Sequence, residues 1–226
     1  MASYNVHKCL GTDGRRAPGR VLDVANALGA DVMALQEADR RFGARPAALP
    51  RRMIEAGSDF VAVEAPGFGP SLGFHGNAVL LRRGLQATAV EGLTLPGLEP
   101  RGALIVEARG AAGAFRVVAV HLGLRRRDRV RQLAAIRAAL AARAHLPTVV
   151  LGDFNEWSRL KGLEGLGGYA VLAPGKSFHT LHPMGHLDRI ALGQGLSFRD
   201  AGVFDTRLAR RASDHLPVWA EAHLAA

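Results

Sequence analysis

Between Asn77 and His121 three apolar runs with strand character, Asn77–Leu81, Ala103–Ala108 and Phe115–His121, follow one another with no helical period between them. Neighbouring parallel strands need a crossover of a dozen or more residues, usually a helix. The chain is therefore expected to fold as packed sheets with helices outside, not as a simple βαβ alternation. Further strand-like runs are Ser3–His7, Val32–Gln36, Val149–Leu151, Asp188–Leu192 and Val218–His223. One helix is predicted over Pro18–Leu28, with Pro at its start, Val21, Leu22, Ala25 and Leu28 on one face, and Gly29 as a stop. A second is predicted over Asp128–Arg143, with Val130, Leu133, Ile136, Ala139 and Leu140 as its buried stripe, and a weaker third over Ala47–Ala56. Gly/Pro-rich loops are expected at Ala65–Gly76 and Gly92–Gly102. With no repeat and no linker, residues 1–226 are expected to make a single domain.

The formal charge of +9 comes almost wholly from arginine, since Lys8, Lys161 and Lys176 are the only lysines. Such a balance suits a polyanionic partner, whether nucleic acid, anionic lipid or a phosphorylated metabolite, although a GC-rich genome also produces an Ala-, Gly- and Arg-heavy chain. Cys9 is the single cysteine, so no internal disulfide forms and a small buried filler is expected. No apolar run approaches the ~20 residues of a membrane span. The first residues lack the layout of a secretion signal, so a cytoplasmic location is expected.

The informative pattern lies at the strand ends. Val32–Leu35 runs into Gln36-Glu37, Val117–Val120 into His121, and Val149–Leu151 into Gly152-Asp153-Phe154-Asn155. Ser213-Asp214-His215 precedes the last strand, and the first carries Asn5 and His7. Taken singly, each has a bland explanation: Glu37 as a cap or solvated carboxylate, Asp153 and Asn155 as turn formers, His121 as a satisfied core histidine. Adjacent strands that end in this way would gather one polar cluster at one sheet edge, the usual place for a site on a rigid scaffold.

Asn5 in Tyr-Asn-Val-His, Gln36-Glu37, Gly76-Asn77, His121-Leu122, Gly-Asp-Phe-Asn at 152–155, Leu-Asp-Arg-Ile at 187–190 and Ser-Asp-His at 213–215 resemble the ordered motifs of the endonuclease/exonuclease/phosphatase superfamily, the deoxyribonuclease-I-like proteins. The resemblance runs from residue 5 to residue 215. It implies an α/β (α+β) fold: a four-layer sandwich of two mixed β-sheets face to face, with helices on the outer faces. It also implies divalent-metal-dependent hydrolysis of phosphoester bonds, with Mg²⁺ or Mn²⁺ as cofactor.

Carried over residue by residue, Glu37 resembles the principal metal carboxylate, with Asn5 and Asp214 close to the metal, directly or through water. Asp153 is similar to the residue that orients or deprotonates the attacking water, with Asn155 beside it. His215 resembles the histidine on the scissile phosphate, and Asp188 its orienting partner. His121 would stand on the leaving-group side as a phosphate contact or proton donor. Asn77, His7 and Arg189 complete the implied substrate-phosphate contacts.

The chain departs from the pattern before Asp188. Family members that cut DNA at abasic sites usually carry a tryptophan-rich stretch there and a Tyr directly after the aspartate. This chain has Ser177-Phe178-His179-Thr180-Leu181-His182-Pro183-Met184-Gly185-His186, and Arg189 follows Asp188. Abasic-site repair is therefore disfavoured. His179, His182 and His186 have spacings that suit a zinc-binding helix, but Pro183 and Gly185 break any helix, and a pocket-lining loop is expected. Arg125-Arg126-Arg127, with Arg129 and Arg131, reads either as a solvated helix start or as a phosphate-attracting rim, and Arg15 and Arg16 invite the same two readings. The expected substrate is a nucleic acid, a lipid headgroup or a small phosphodiester, and the expected state a monomer. The alternatives are a sphingomyelinase-like lipid-headgroup phosphodiesterase and a non-catalytic phosphate-binding module of the same fold.

Overall fold

The computed structural model describes residues 1–40, 43–65, 67, 69–158 and 161–224. In chain order the elements are β1 (Ala2–Asn5), α1 (Pro18–Leu28), β2 (Val32–Gln36), α2 (Arg51–Gly57), β3 (Phe60–Ala62), β4 (Ala78–Arg82), β5 (Gln86–Leu95), β6 (Arg101–Gly110), β7 (Gly113–His121), α3 (Arg126–Ala141), β8 (Thr148–Asp153), β9 (Ala170–Leu172), β10 (Asp188–Leu192), β11 (Leu196–Val203), α4 (Arg207–Ala212) and β12 (Val218–Leu224). One six-stranded sheet has the order β11-β12-β1-β2-β4-β3, and the other β5-β6-β7-β8-β10-β9. Each is mixed: β1 runs parallel to β2 and β7 parallel to β8, while the other pairings are antiparallel.

The layering follows from side-chain alternation. Val32 and Ala34 of β2 face inward with Val79, and meet Val106, Val117, Val149 and Ile190 of the second sheet. Met33 and Leu35 point the other way, onto Val21, Leu22 and Ala25 of α1, Ile54 of α2 and Ala209 of α4. Val118, Val150 and Ala191 of the second sheet face outward onto Leu133 and Ile136 of α3. The result is the expected four-layer sandwich. Because the central strands are covered on both faces, they read as near-continuous apolar runs.

Three expectations are corrected. The expected loop at 92–102 shrinks to 96–100: Gly92–Leu95 ends β5 and Arg101 begins β6, which a bulge between Ala87 and Ala89 and two glycines hid from pattern reading. The early helix is confined to Arg51–Gly57. In α3 the buried face is Asp128, Arg129, Gln132, Leu133 and Ile136, and Val130 is exposed. The polar part of that face is used in bonding: Gln132 bonds Gly123 N and Pro96 O, and Arg129 bonds Leu124 O at 2.6 Å and Glu156 at 2.7 Å. The helix thus grips the loops that follow β7 and β8, which carry His121 and Asp153. Of the expected loop at 65–76, Pro66 and Phe68 lie outside the described residues, as do residues 225 and 226 at the C-terminus.

The β7/β8 pairing places His121 opposite Asp153 and Val120 opposite Gly152. Gly152 has φ +153°, and a Cβ there would lie 1.9 Å from the Val120 carbonyl oxygen. This close approach of two backbones explains the glycine before Asp153. Gly152→Ala should lose about 3 kcal/mol in urea unfolding, as overpacking against a backbone atom does. An unchanged midpoint would show that β7 can yield, and that the glycine has another reason to be there.

Candidate active site

The parallel pair β1/β2 ends at Asn5 and Gln36, and the parallel pair β7/β8 ends at His121 and Asp153. Asp188 opens β10 directly opposite Asp153. Asn5 Nδ2 donates to Asp153 Oδ2 at 3.1 Å, which joins the two sheets at the site. The same carboxylate oxygen lies 3.4 Å from His121 Nε2 and 3.6 Å from His215 Nε2. Its other oxygen accepts from the Asn155 backbone N–H at 2.9 Å. Asn155 has φ +50°, a left-handed conformation that a non-glycine residue holds only where its surroundings fix it. Its side chain donates to Leu122 O, so Asn155 ties the ends of β7 and β8 together.

His215 Nδ1 lies 2.9 Å from Asp188 Oδ2, an oxygen that also accepts from Ser177 Oγ at 2.5 Å. Ser213 Oγ donates to the Asn5 carbonyl at 2.7 Å, and the His215 backbone N–H donates to the same hydroxyl. The serine of Ser-Asp-His therefore has a structural task, docking the histidine onto the end of β1. Phe178 lies against the ring of His215, with centroids 4.8 Å apart, and Trp157 packs edge-on against Phe178. Sequence reasoning missed Trp157, which reaches the site from the loop after β8 and not from the stretch before Asp188.

The two histidines titrate in opposite senses. Burial lowers the basicity of His215, but the carboxylates of Asp188 and Asp153, the hydrogen bond to Asp188 and the charge of Asp214 outweigh it and raise the pKa to about 9. For His121 burial dominates: Asp153 opposes it only in part, Arg101, His215 and Lys8 add to it, and the pKa falls to about 3. At neutral pH the site thus holds one imidazolium and one neutral imidazole around a single carboxylate. Burial also pushes the Cys9 thiol up to about 12, which agrees with a filler residue and not with a nucleophile.

Glu37 follows β2 with φ +53°. Lys8 bonds its carboxylate, and the Lys8 backbone N–H donates to its carbonyl at 3.0 Å. His7, Lys8 and Cys9 all have positive φ, so the turn after β1 is held in a costly conformation against Glu37. His7 Nδ1 stands 3.7 Å from Asp214 Oδ1. Beyond Glu37 opens a cavity of about 310 Å³. Glu37, Lys8 and His121 line it together with Asp39, Arg45, His75 and Arg101, none of which the strand-end pattern singled out. Asp39 accepts from Ser71 Oγ and from the backbone N–H groups of Leu72 and Gly76, which fixes the loop beside Glu37.

Of the oxygen donors suited to a hard cation, Asp153 bonds Asn5, Asn5 Oδ1 accepts from the His7 N–H, and the His7 ring faces Asp214, while Glu37 is held by the next residue, Lys8. The ammonium of Lys8 on Glu37 marks a place where positive charge is stabilised. Among the described residues no three acidic, His or Cys side chains close on one point. That donor set fits an ion such as Mg²⁺, which takes few protein oxygens and keeps several waters.

Three expected contacts have other tasks. Arg189 is fully buried, with its guanidinium on the carbonyls of Asp188, Glu156 and Ser158, so it braces the loop after β8. Asn77 is fully buried as well, and its amide nitrogen donates to Phe74 O and Gly102 O, linking β4 to β6 across the sheets. Arg129 is paired with Glu156 inside the fold and is not part of a solvent-facing rim.

The family model described as the Endonuclease/Exonuclease/phosphatase family matches residues 2–215. The uncharacterized protein YbhP of Escherichia coli K12 is 34% identical over 163 residues, 67% of this chain and 64% of that protein. The chain thus spans a little under two thirds of the length of the curated relatives it matches. The mannosyl-6-phosphatase of Bacteroides thetaiotaomicron superposes with a TM-score of 0.75 at 18% identity, covering 99% of this chain and 98% of the other. D. rerio TDP2, complexed with a single-strand DNA product, does so with 0.73 at 16% identity, covering 98% and 97%. At these identities the likeness to the two structures is one of fold.

The opposed histidines predict how stability depends on pH in the metal-free protein. His215 titrates at about 9 folded against 6.5 unfolded, so its contribution is complete below 6.5 and is lost as pH rises through 9. His121 titrates at about 3 folded against 6.5, so its contribution is complete above 6.5 and is lost as pH falls. For these two groups, urea unfolding in chelator should show greatest stability near pH 6.5. His215→Gln should flatten the alkaline limb and His121→Gln the acid limb. An alkaline slope untouched by His215→Gln would contradict the assignment.

Proposed function

The chain belongs to the Endonuclease/Exonuclease/phosphatase family, a family of phosphoesterases, and from that premise we propose that it is a divalent-metal-dependent hydrolase of phosphodiesters, acting as one domain over residues 1–226. The observation that carries this reading is the Asp153 carboxylate, held by Asn5 and flanked at 3.4 and 3.6 Å by His121 and His215. That arrangement can position water on one side of a phosphorus and donors on the other.

Asp153 orients the attacking water and takes its proton, with its carboxylate aimed by Asn5 and by the Asn155 N–H. His215, kept protonated and fixed in orientation by Asp188, donates to the phosphate oxygens as charge builds on them. His121, neutral at working pH, contributes a hydrogen bond and not a proton. Glu37 would hold Mg²⁺ or Mn²⁺, with Asn5 and Asp214 contacting it directly or through water. Such an ion, when bound, neutralises phosphate charge and eases formation of hydroxide. His7 and the basic groups Arg45 and Arg101 on the cavity wall would meet the rest of the phosphoester. A binding module without turnover is the poorer reading, because every member of the proposed catalytic set is present and connected.

With bis(p-nitrophenyl) phosphate and Mn²⁺, Glu37→Gln and Asp153→Asn should each lower turnover roughly 10²- to 10³-fold while the fold persists. Turnover undiminished in excess chelator sinks the metal requirement. Asp188→Ala and His215→Ala should be far from additive, as expected of groups acting as one unit. Additive losses would separate them. A flexible diester should be cleaved in preference to duplex DNA with an abasic site, because extruding a nucleotide from a duplex costs a few kcal/mol. Efficient, salt-tolerant abasic incision would reverse that preference.

A further inference from the structure

Eight large apolar side chains stand exposed among the described residues, and scattered singly they would need no explanation. Their distribution is uneven. Leu98, Leu124, Trp157, Leu181 and Met184, each at least 58% exposed, lie on four loops: between β5 and β6, after β7, after β8, and before β10. The registers Leu95↔Arg101, Ala103↔Val120, His121↔Asp153 and Asp153↔Asp188 bring those four loops off one edge of the second sheet, in strand order. It is the edge that carries His121, Asp153 and Asp188. The other three, Val61, Val130 and Phe198, sit apart, on β3, α3 and β11.

The loops along this edge carry basic groups in excess. Arg125, Arg126 and Arg127 follow Leu124 directly and are exposed. The nearby carboxylates are matched, Glu99 by Arg101, Glu156 by Arg129, Glu164 by Arg126 and Asp128 by Arg127, and among the described residues Arg125 has no carboxylate against it. The two loops carrying Leu98 and Leu124 are also pinned, since Leu98 N donates to Asp128 and Leu124 N to Glu99. Aliphatic tips held outward beside solvent-exposed arginines match an anionic bilayer surface, with apolar side chains entering the acyl boundary and guanidinium groups meeting the headgroups. They suit single-stranded nucleic acid poorly, because base stacking needs aromatic platforms and only Trp157 of the five is aromatic.

We propose that this edge of the second sheet is a membrane-contacting face, which seats the protein on an anionic phospholipid surface with the catalytic groups turned toward the headgroups. The proposal builds on the hydrolase reading above and names the source of its phosphoester. Vesicle co-sedimentation tests the contact without turnover. The full chain should sediment with vesicles of equal parts phosphatidylcholine and phosphatidylglycerol, and far less with phosphatidylcholine alone. Leu98→Ser/Leu124→Ser/Met184→Ser should lower the bound fraction roughly tenfold, and Arg125→Glu/Arg127→Glu should abolish the preference for the anionic lipid. Both variants should still turn over bis(p-nitrophenyl) phosphate as the parent does, which reports their fold independently. Vesicle binding that persists in a chain inactive on every diester would support this face while overturning the hydrolase reading. The proposal is overturned if the parent ignores vesicles, if the serine variant binds them equally, if the arginine variant keeps the same preference for the anionic lipid, or if light scattering shows a dimer that the serine variant dissolves. Displacement of the parent from vesicles by short single-stranded DNA, with affinity for that DNA falling in parallel in the serine variant, would assign the face to nucleic acid and overturn it too.

Discussion

The hydrogen bond from Asn5 to Asp153 joins groups 148 positions apart in the chain and belongs to both sheets at once. Around it the remaining groups acquire their relations. The carboxylate it steadies is the one that both imidazoles face, and the carbonyl of Asn5 receives Ser213, which brings His215 into place. With the bonds of His215 to Asp188 and of Asn77 to Gly102, this junction fixes the polar ends of two sheets that otherwise share only an apolar core. Burial then divides the labour. The same low-polarity surroundings that suppress protonation of His121 strengthen the pull of Asp188 on His215, so two identical side chains carry different charges within reach of one carboxylate.

A second economy concerns the arginines. The excess positive charge suits a polyanionic partner, yet Arg129 and Arg189 lie inside the fold, on Glu156 and on backbone carbonyls around the loop after β8. A buried guanidinium with several acceptors braces irregular backbone that no sheet ladder can satisfy. Arg116 is buried as well, on Glu107 and Ala144 O, so the solvent-facing arginines are fewer than composition implied.

Much of this could be read from the chain. Val32–Gln36, Asp188–Leu192 and α1 fall where periodicity and the flanking Pro18 and Gly29 put them, since central strands and capped helices write their burial directly into sequence. The strands that escaped notice, β3, β5, β9 and β11, are edge or next-to-edge strands whose exposed faces carry no clean alternation. At the site, the residues at strand ends were legible because an acid or histidine after an apolar run is conspicuous. Lys8, Asp39 and Arg45 were not, as they reach the cavity through turns with left-handed or irregular backbone that pattern reading cannot follow. Asn77 and Arg189 lie within matching motifs, and their burial, with donors bonded to the protein itself, could not be read from those motifs.

The close approach of β7 and β8 at Gly152 has a consequence for how such a chain can diversify. The gap between His121 and Asp153 is set by main chain against main chain, and main chain is the one component that substitution elsewhere leaves in place. Side chains on the cavity wall and on the outer loops can therefore change widely while the backbone spacing of His121 and Asp153 stays the same. One missing methyl group holds the two strand ends together and leaves the surrounding side chains free to vary.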